Sequence, residues 1–427
     1  MRLCEAISWS QGLGSSSSTA CRTMASGRHR HGVYLDYNAT TPLRKEVREL
    51  MIELLESHGN PSSSHAWGRK PREVLETARE QVAAAVGADP DDDGIFFCSC
   101  GTEADQWVLW SSIVSARRRG LSIPHIVSSA VEHPAVLKNL EFLANELEMC
   151  SYTLVAVDGE GLLDMNALDD AISDSTCLVS ILHSNNEVGS IQDFARIKSI
   201  VAKHNAVRAE ETFLALHADL AQSVGRCHVD VRGLGLDYAT IVGHKMGAPK
   251  GVAALYVAGR QRASLVPLIH GGGQEMGMRS GTENVMLCGA FGLAIELATA
   301  NLDADIEDLR RKRDAFLATL RDSLPLQATL VMNGPSDPKA SLPNMVSFSV
   351  PGVEAASIIA EVGDRVAVSS GSACHTGKGG GGVLHAMGKT EEGRRGTFRV
   401  SWGFASVEED VVMAARILAA AISDALH

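Results

Sequence analysis

Six short apolar runs, GIFFCSC (94–100), HIVSSAV (125–131), TCLVSILH (176–183), TFLALHA (212–218), YATIVGH (238–244) and GVAALYV (251–257), recur along the chain with helix-patterned stretches among them. A strand that is apolar on both faces must be covered on both, and strands alternating with helices build a largely parallel sheet inside an α/β layer. That pattern excludes a helical bundle and an antiparallel sandwich. Before it, apolar residues at helical spacing with Arg and Glu opposite predict two surface helices over 46–56 and 71–86. After it comes a long charged amphipathic helix over 303–324, and then NMVSFSV and FRVSWGF restart the strand pattern. We read a large domain over 45–300 and a smaller α+β domain assembled from 31–44 and 301–427.

The rest of the composition narrows the class. A formal charge of −12 leaves no basic field for a nucleic-acid backbone, and no run approaches eighteen uninterrupted apolar residues, so neither nucleic acid nor membrane is expected as a partner. Nine cysteines without a C-x-x-C pair indicate reduced thiols, with no disulfide framework and no zinc or other metal site. Residues 1–30, Ser-rich with several Arg, are expected to be a disordered tail or a transit segment. The expected location is cytoplasmic, or mitochondrial or another organelle if the segment is a targeting signal.

Ligands of such sheets gather at the carboxyl ends of strands, so the residues leaving each run carry the chemistry. TFLALHA exits into Asp219 and Gln222, and YATIVGH exits onto His244 and Lys245. A lysine amine beside a carboxylate suits pyridoxal 5'-phosphate: the amine condenses with the aldehyde and the carboxylate keeps the ring nitrogen protonated. GIFFCSC runs into Gly101 and Thr102, which open a helix whose N-terminus suits a phosphate. HIVSSAVEH ends on His133, a flat ring able to stack on a pyridine. Each residue alone has a plainer reading. Asp219 could cap a helix, Lys245 could be a solvated loop lysine, Thr102 and Glu103 could be a helix-start signal, His133 could be structural, and Arg399 could be an edge-strand charge. Their conjunction in order favours the site. Cys374 and His375 lie in SSGSACHTGKGGGG (369–382), a run that reads as neither helix nor strand.

YLDYNATTP, GNPSSSHAWGR, GTEAD, SSAVEH, HSNNEVG, HADLAQSVG, VGHKMGAPKG, GGGQEMGMRSGTEN and GSACH, in this order from Val33 to the C-terminus, resemble the cysteine desulfurases and selenocysteine lyases, pyridoxal-phosphate enzymes of the aspartate-aminotransferase fold. The resemblance implies fold type I, with a seven-stranded, mostly parallel sheet. It implies Lys245 as the cofactor-carrying lysine, Asp219 on the ring nitrogen, Gln222 on the ring hydroxyl, His133 on the ring face, and Gly101, Thr102 and His244 on the phosphate. Thr282 would reach the phosphate of a second subunit in a homodimer with shared sites. Asn186, which also borders the cofactor, and Arg399 would bind the carboxylate of a small amino-acid substrate. Cys374 would take up sulfur or selenium and carry it on its glycine-rich tether to an acceptor protein, leaving alanine.

Within that family, VGHK, the long connection AKHNAVRAEETFLALHAD and the Cys374–His375 pair look more like the selenocysteine lyase branch. Selenocysteine lyase is therefore the preferred expectation, and a cysteine desulfurase supplying iron-sulfur clusters or tRNA thiolation the alternative. Val242 offers no hydroxyl to the phosphate, and Cys100 stands where glycine is usual, as an inert buried thiol or a redox liability. GVLHAMGKT (382–390) nearly matches an ATPase phosphate loop, but five residues separate Gly382 from Gly388 where four are needed, and no apolar strand precedes it.

Overall fold

The computed structural model describes residues 32–209, 212–371 and 382–427. The expectations for residues 1–30 and for Cys374, His375 and their glycine run lie outside the described residues.

The chain opens with β1 (Val33–Tyr34), then α1 (Lys45–Leu54) and α2 (Ala66–Val86). The central layer follows as β2 (Gly94–Cys98), α3 (Gly101–Arg118), β3 (His125–Ser129), α4 (Pro134–Glu141), β4 (Ser151–Val155), α5 (Met165–Ala171), β5 (Thr176–Leu182), α6 (Phe194–Asn205), β6 (Ala215–Asp219), β7 (Tyr238–Val242) and β8 (Ala253–Val257). Helices α7 (Val285–Thr299) and α8 (Leu302–Ser323) lead to β9 (Val331–Asn333), β10 (Met345–Ser349), α9 (Ala355–Val362), β11 (Val366–Ala367) and β12 (Ser369–Ser370). The chain ends with α10 (Val383–Ala386), α11 (Glu391–Arg395), β13 (Thr397–Ser401) and α12 (Glu408–Ala425).

The seven strands are ordered β2-β8-β7-β6-β5-β3-β4. The pairs from β4 through β7 are parallel, while β8 runs antiparallel to both β7 and β2. The expected α/β class with a mostly parallel sheet is what the molecule has. All six apolar runs form strands within it. The seventh, β4, escaped the sequence reading because SYTLV is an edge strand with mostly exposed or half-exposed residues, so it lacks the apolar signature of a doubly covered strand.

The two-residue side-chain period divides the strands between two cores. In β8, Ala254 and Tyr256 join Val82, Ile241 and Phe291 on one face, and Ala253, Leu255 and Val257 join Trp107, Ile126 and Tyr238 on the other. A separate core collects Val33 and Leu35 with Phe316, Phe348, Phe398, Trp402 and Leu418. It is built on the sheet β12-β13-β10-β9, and β1 is tied to it by parallel pairing with β11. The N-terminal segment thus leaves this second core and passes directly over the large sheet's site.

Helices α2 and α7 approach closely at two glycines. A Cβ on Gly292 would lie 2.6 Å from the Ala78 Cα, and one on Gly289 would lie 2.7 Å from Val74 Cγ1. Replacing an interior helical glycine with alanine normally stabilises by about 1 kcal/mol. Here the Ala78 main chain cannot yield without separating the helices. Gly292→Ala is therefore expected to destabilise by about 1–3 kcal/mol, seen as a lowered melting temperature against wild type; an unchanged or raised melting temperature would contradict this packing.

Candidate active site

Parallel pairing brings the exits of β5, β6 and β7 to one edge: Leu182 is in register with Asp219, and Asp219 with Thr240. The sequence placed Asp219 just beyond its strand; it is the strand's last residue. Its side chain is buried, with Oδ1 accepting from Ala221 N at 2.8 Å. Lys245 ends the short 3-10 turn Gly243–Lys245 that follows β7, and its Nζ donates to the carbonyls of Asn38 and Ala39, each at 2.7 Å. Burial pushes this amine down to about 7, with like charge from Arg226 and Arg399 adding to the effect. Asp219 is among the opposite charges that oppose it.

Gly101 and Thr102 open the 18-residue helix α3 at the same edge, with the Thr102 hydroxyl exposed. A Cβ on Gly101 would meet Val242 Cγ2 at 2.7 Å. The Val242 methyl thus packs against the start of α3, and a side chain at position 101 would displace it. Cys100 is the N-cap residue and is exposed, so the buried-thiol reading is corrected: its side chain points away from the apolar core that holds Cys98. His133 caps α4, its Nδ1 accepting from Ala135 N at 3.1 Å, and its ring is exposed. His244 faces Thr40 Oγ1 at 3.1 Å, and burial together with neighbouring Lys245 pushes its ring down to about 4, so it is neutral. Gln222 is buried with Nε2 on the Asn38 carbonyl.

Arg399 belongs to β13 in the second sheet and reaches the same edge. Nη2 pairs with Asp36 Oδ1 at 2.9 Å and Nη1 donates to the Asn186 carbonyl at 3.3 Å. Its buried Nε has no hydrogen-bond partner among the described residues. Asn186 therefore meets this arginine through its main chain. Thr282 is exposed and lines a cleft with Ser99, Glu275 and Arg279, and Arg279 Nε donates to Glu103 Oε1 at 2.8 Å.

Several residues here had no assignment from sequence. Asp105, in the second turn of α3, is fully buried; its Oδ1 has no hydrogen-bond partner among the described residues and sits 3.9 Å from His217 Nε2. Glu132 Oε1 accepts from Ser129 Oγ at 2.6 Å and from Leu182 N at 2.9 Å, while Oε2 has no partner among the described residues. Burial pushes Asp105 well up, with the Asp219 charge adding to it, and pushes Glu132 up to about 8. Burial thus favours the protonated form of both, and it raises Asp219 at the same edge too. Each of the two had only a faint sequence signal: Glu132 stands beside His133 at a strand exit, and Asp105 closes the GTEAD motif.

The donor set fits a phosphorylated pyridine aldehyde: a half-buried amine of lowered basicity, a buried carboxylate, and a helix N-terminus with an exposed threonine. The fold and these residues define a pyridoxal-phosphate enzyme. The chain belongs to the aminotransferase class-V family, whose model matches residues 33–413. A cysteine desulfurase IscS of Dictyoglomus turgidum is 40% identical over 382 residues, covering 89% of this chain and 91% of that protein. Among solved structures, a NifS-like protein is 32% identical with a TM-score of 0.81, covering 92% of this chain and all of that one. SspA, solved in complex with cysteine, is 28% identical with a TM-score of 0.71 over 87% of this chain and 99% of its own. The resemblance drawn from the motifs and the pyridoxal-phosphate cofactor both stand.

Glu132 has a measurable pH signature. A carboxyl raised from about 4.5 to about 8 by burial stabilises the fold below its unfolded value and loses that contribution as pH climbs through its folded value. At about 1.4 kcal/mol per pH unit the loss between pH 5 and 8.5 is on the order of 4 kcal/mol. Glu132→Gln, neutral throughout, is expected to gain stability relative to wild type across that window in thermal melts of the cofactor-stripped protein. A difference that does not change with pH would contradict it.

Proposed function

We propose that the protein is a cysteine desulfurase, which removes sulfur from L-cysteine, releases L-alanine and loads the sulfur onto Cys374. The observation that carries the reading is the meeting in one site of a half-buried amine of lowered basicity, Lys245, and a buried arginine, Arg399, whose Nε has no hydrogen-bond partner among the described residues. One takes part in amine chemistry and the other recognises a carboxylate, the two handles of an α-amino acid. Relatives named cysteine desulfurase and the cysteine-bound SspA support sulfur as the cargo. They move the selenocysteine lyase reading, preferred from local sequence features, to second place.

Asp219 would hold the proton of the cofactor's ring nitrogen and Gln222 its ring hydroxyl, while His133 would cover the ring face. Gly101, Thr102 and His244 would hold the phosphate, and Thr282, at the surface, that of a partner subunit in a homodimer. Bound there, pyridoxal phosphate supplies an electron sink that acidifies the substrate Cα–H and then loosens the Cβ–S bond. Arg399 and Asn186 orient the substrate through its carboxylate, Arg399 with Asp36 fixing one edge of the guanidinium. Lys245 Nζ accepts the α-proton, which a neutral amine can do near pH 7. The Cys374 thiolate attacks the substrate sulfur; the S–S bond forms as the Cβ–S bond breaks, and its electron pair takes a proton at Cβ. The enzyme thiol is oxidised to a persulfide, the substrate is reduced to alanine, and an acceptor protein removes the sulfur.

The purified protein with reductant is expected to form alanine from L-cysteine. Lys245→Ala and Cys374→Ser should each lower this by a factor of about 1,000 or more, and Arg399→Lys should lower kcat/KM by about 100-fold, since lysine cannot copy the bidentate contact. No alanine from cysteine would overturn the proposal. A hundredfold or greater preference for L-selenocysteine, roughly 2.7 kcal/mol of differential transition-state binding, would return the lyase reading to first place.

A further inference from the structure

Arg226 is 6% exposed and makes no ion pair with any carboxylate among the described residues. Its Nη1 donates to the carbonyl oxygen of Gln222 at 3.3 Å and to Gln222 Oε1, and its Nη2 donates to the carbonyls of Tyr37 at 3.4 Å and Lys245 at 3.1 Å. All four acceptors are neutral. Removing a guanidinium from water costs several kcal/mol even after relaxation, and arginine does not escape that cost by shedding its proton at neutral pH. A chain that needed only a hydrogen-bonding strut between these carbonyls would be better served by an amide. The charge itself therefore has a use, and the reactive group nearest its carbonyl contacts is Lys245.

We propose that Arg226 is a positioning residue for Lys245: its uncompensated guanidinium, fixed on the Lys245 carbonyl and the Gln222 side chain, disfavours a second cation and keeps the Lys245 side chain a free amine. The groups facing that amine come from five places. Arg226, on the turn after β6, and Arg399, on β13, repel its charged form; Asp219, ending β6, and Asp36, after β1, attract it. His244, its neighbour after β7, is neutral. Asp36 is already engaged by Arg399, and the hydrogen bonds of Nζ go to two carbonyls, so no carboxylate among the described residues neutralises it at contact. Among the charged neighbours Arg226 has the largest effect on the amine, after burial itself. The fork serves geometry as well: the same side chain that repels the ammonium ties the Lys245 main chain to Gln222, and so to the residue that would hold the cofactor ring.

The inference rests on Lys245 as the reactive amine. Its test uses the full chain stripped of cofactor and needs no turnover, so its failure is separable from failure of the desulfurase reading. Lys245 is labelled with trinitrobenzenesulfonate over pH 6–11 and the modified peptide quantified by mass spectrometry. Wild type is expected to show a midpoint near 7, Arg226→Gln a midpoint raised by about 1 or more, and Arg226→Lys, which keeps charge but loses the fork, a midpoint within about 0.5 of wild type. A wild-type midpoint close to that of a solvated lysine, about 10.4, would overturn the proposal without any variant. An unmoved midpoint in Arg226→Gln, or an equal rise in Arg226→Lys, would overturn it as well.

Discussion

The site depends on how little charge a dry sheet edge tolerates. Asp105 in α3, His217 within β6, and Glu132, His183, Asp219 and Arg226 at or after the ends of β3, β5 and β6 are all buried, and burial penalises every ionised form among them. The penalty sorts them. His183 is pushed to about 4 and His217 to about 3, so both are neutral rings, hydrogen-bonded to Ser184, Ser223, Ser180 and Thr240. The same penalty favours the protonated forms of Asp105 and Glu132. Burial raises Asp219 as well, opposed by the Ala221 amide and by positive charge at His133 and Lys245, and it is the carboxylate that would face a protonated pyridine.

The architecture follows from the same economy. A parallel sheet covered on both faces offers polar groups only at its ends, and the N-terminal segment closes the carboxyl end from above. Residues 36 to 41 supply Asp36 to Arg399, the carbonyls of Asn38 and Ala39 to Lys245, and Thr41 to His244 O and Gly247 N. Because β1 is paired into the second core through β11, the lysine and the arginine are held by a segment that answers to both halves of the molecule. Any displacement of the two cores must move the acceptors of Lys245 and the partner of Arg399 together.

Much of this was legible because strand exits are a local signal. Lys245 and Asp219 stand beside long apolar runs, and Gly101 with Thr102 beside another, so topology needed only to bring the exits together. The antiparallel insertion of β8 was not legible, since GVAALYV reads the same in either direction. The Asp36–Arg399 pair spans 363 residues, and Arg226 lies in a turn with no periodic signature; both are products of tertiary packing. The buried acids were hidden because sequence does not reveal which carboxylates fall inside a covered edge. The choice between sulfur and selenium was not legible for a different reason: a valine before a glycine, a loop's length and a histidine after Cys374 discriminate poorly between two atoms that undergo the same chemistry.

The most direct test of the account is chemical mapping of the cofactor. The purified protein, loaded with pyridoxal phosphate and reduced with borohydride, would be digested and each lysine peptide weighed. The account predicts the mass of one reduced cofactor on Lys245 alone, at one per chain. Cofactor found instead on Lys250 or another lysine, or on none, would contradict a site built at the carboxyl ends of β6 and β7.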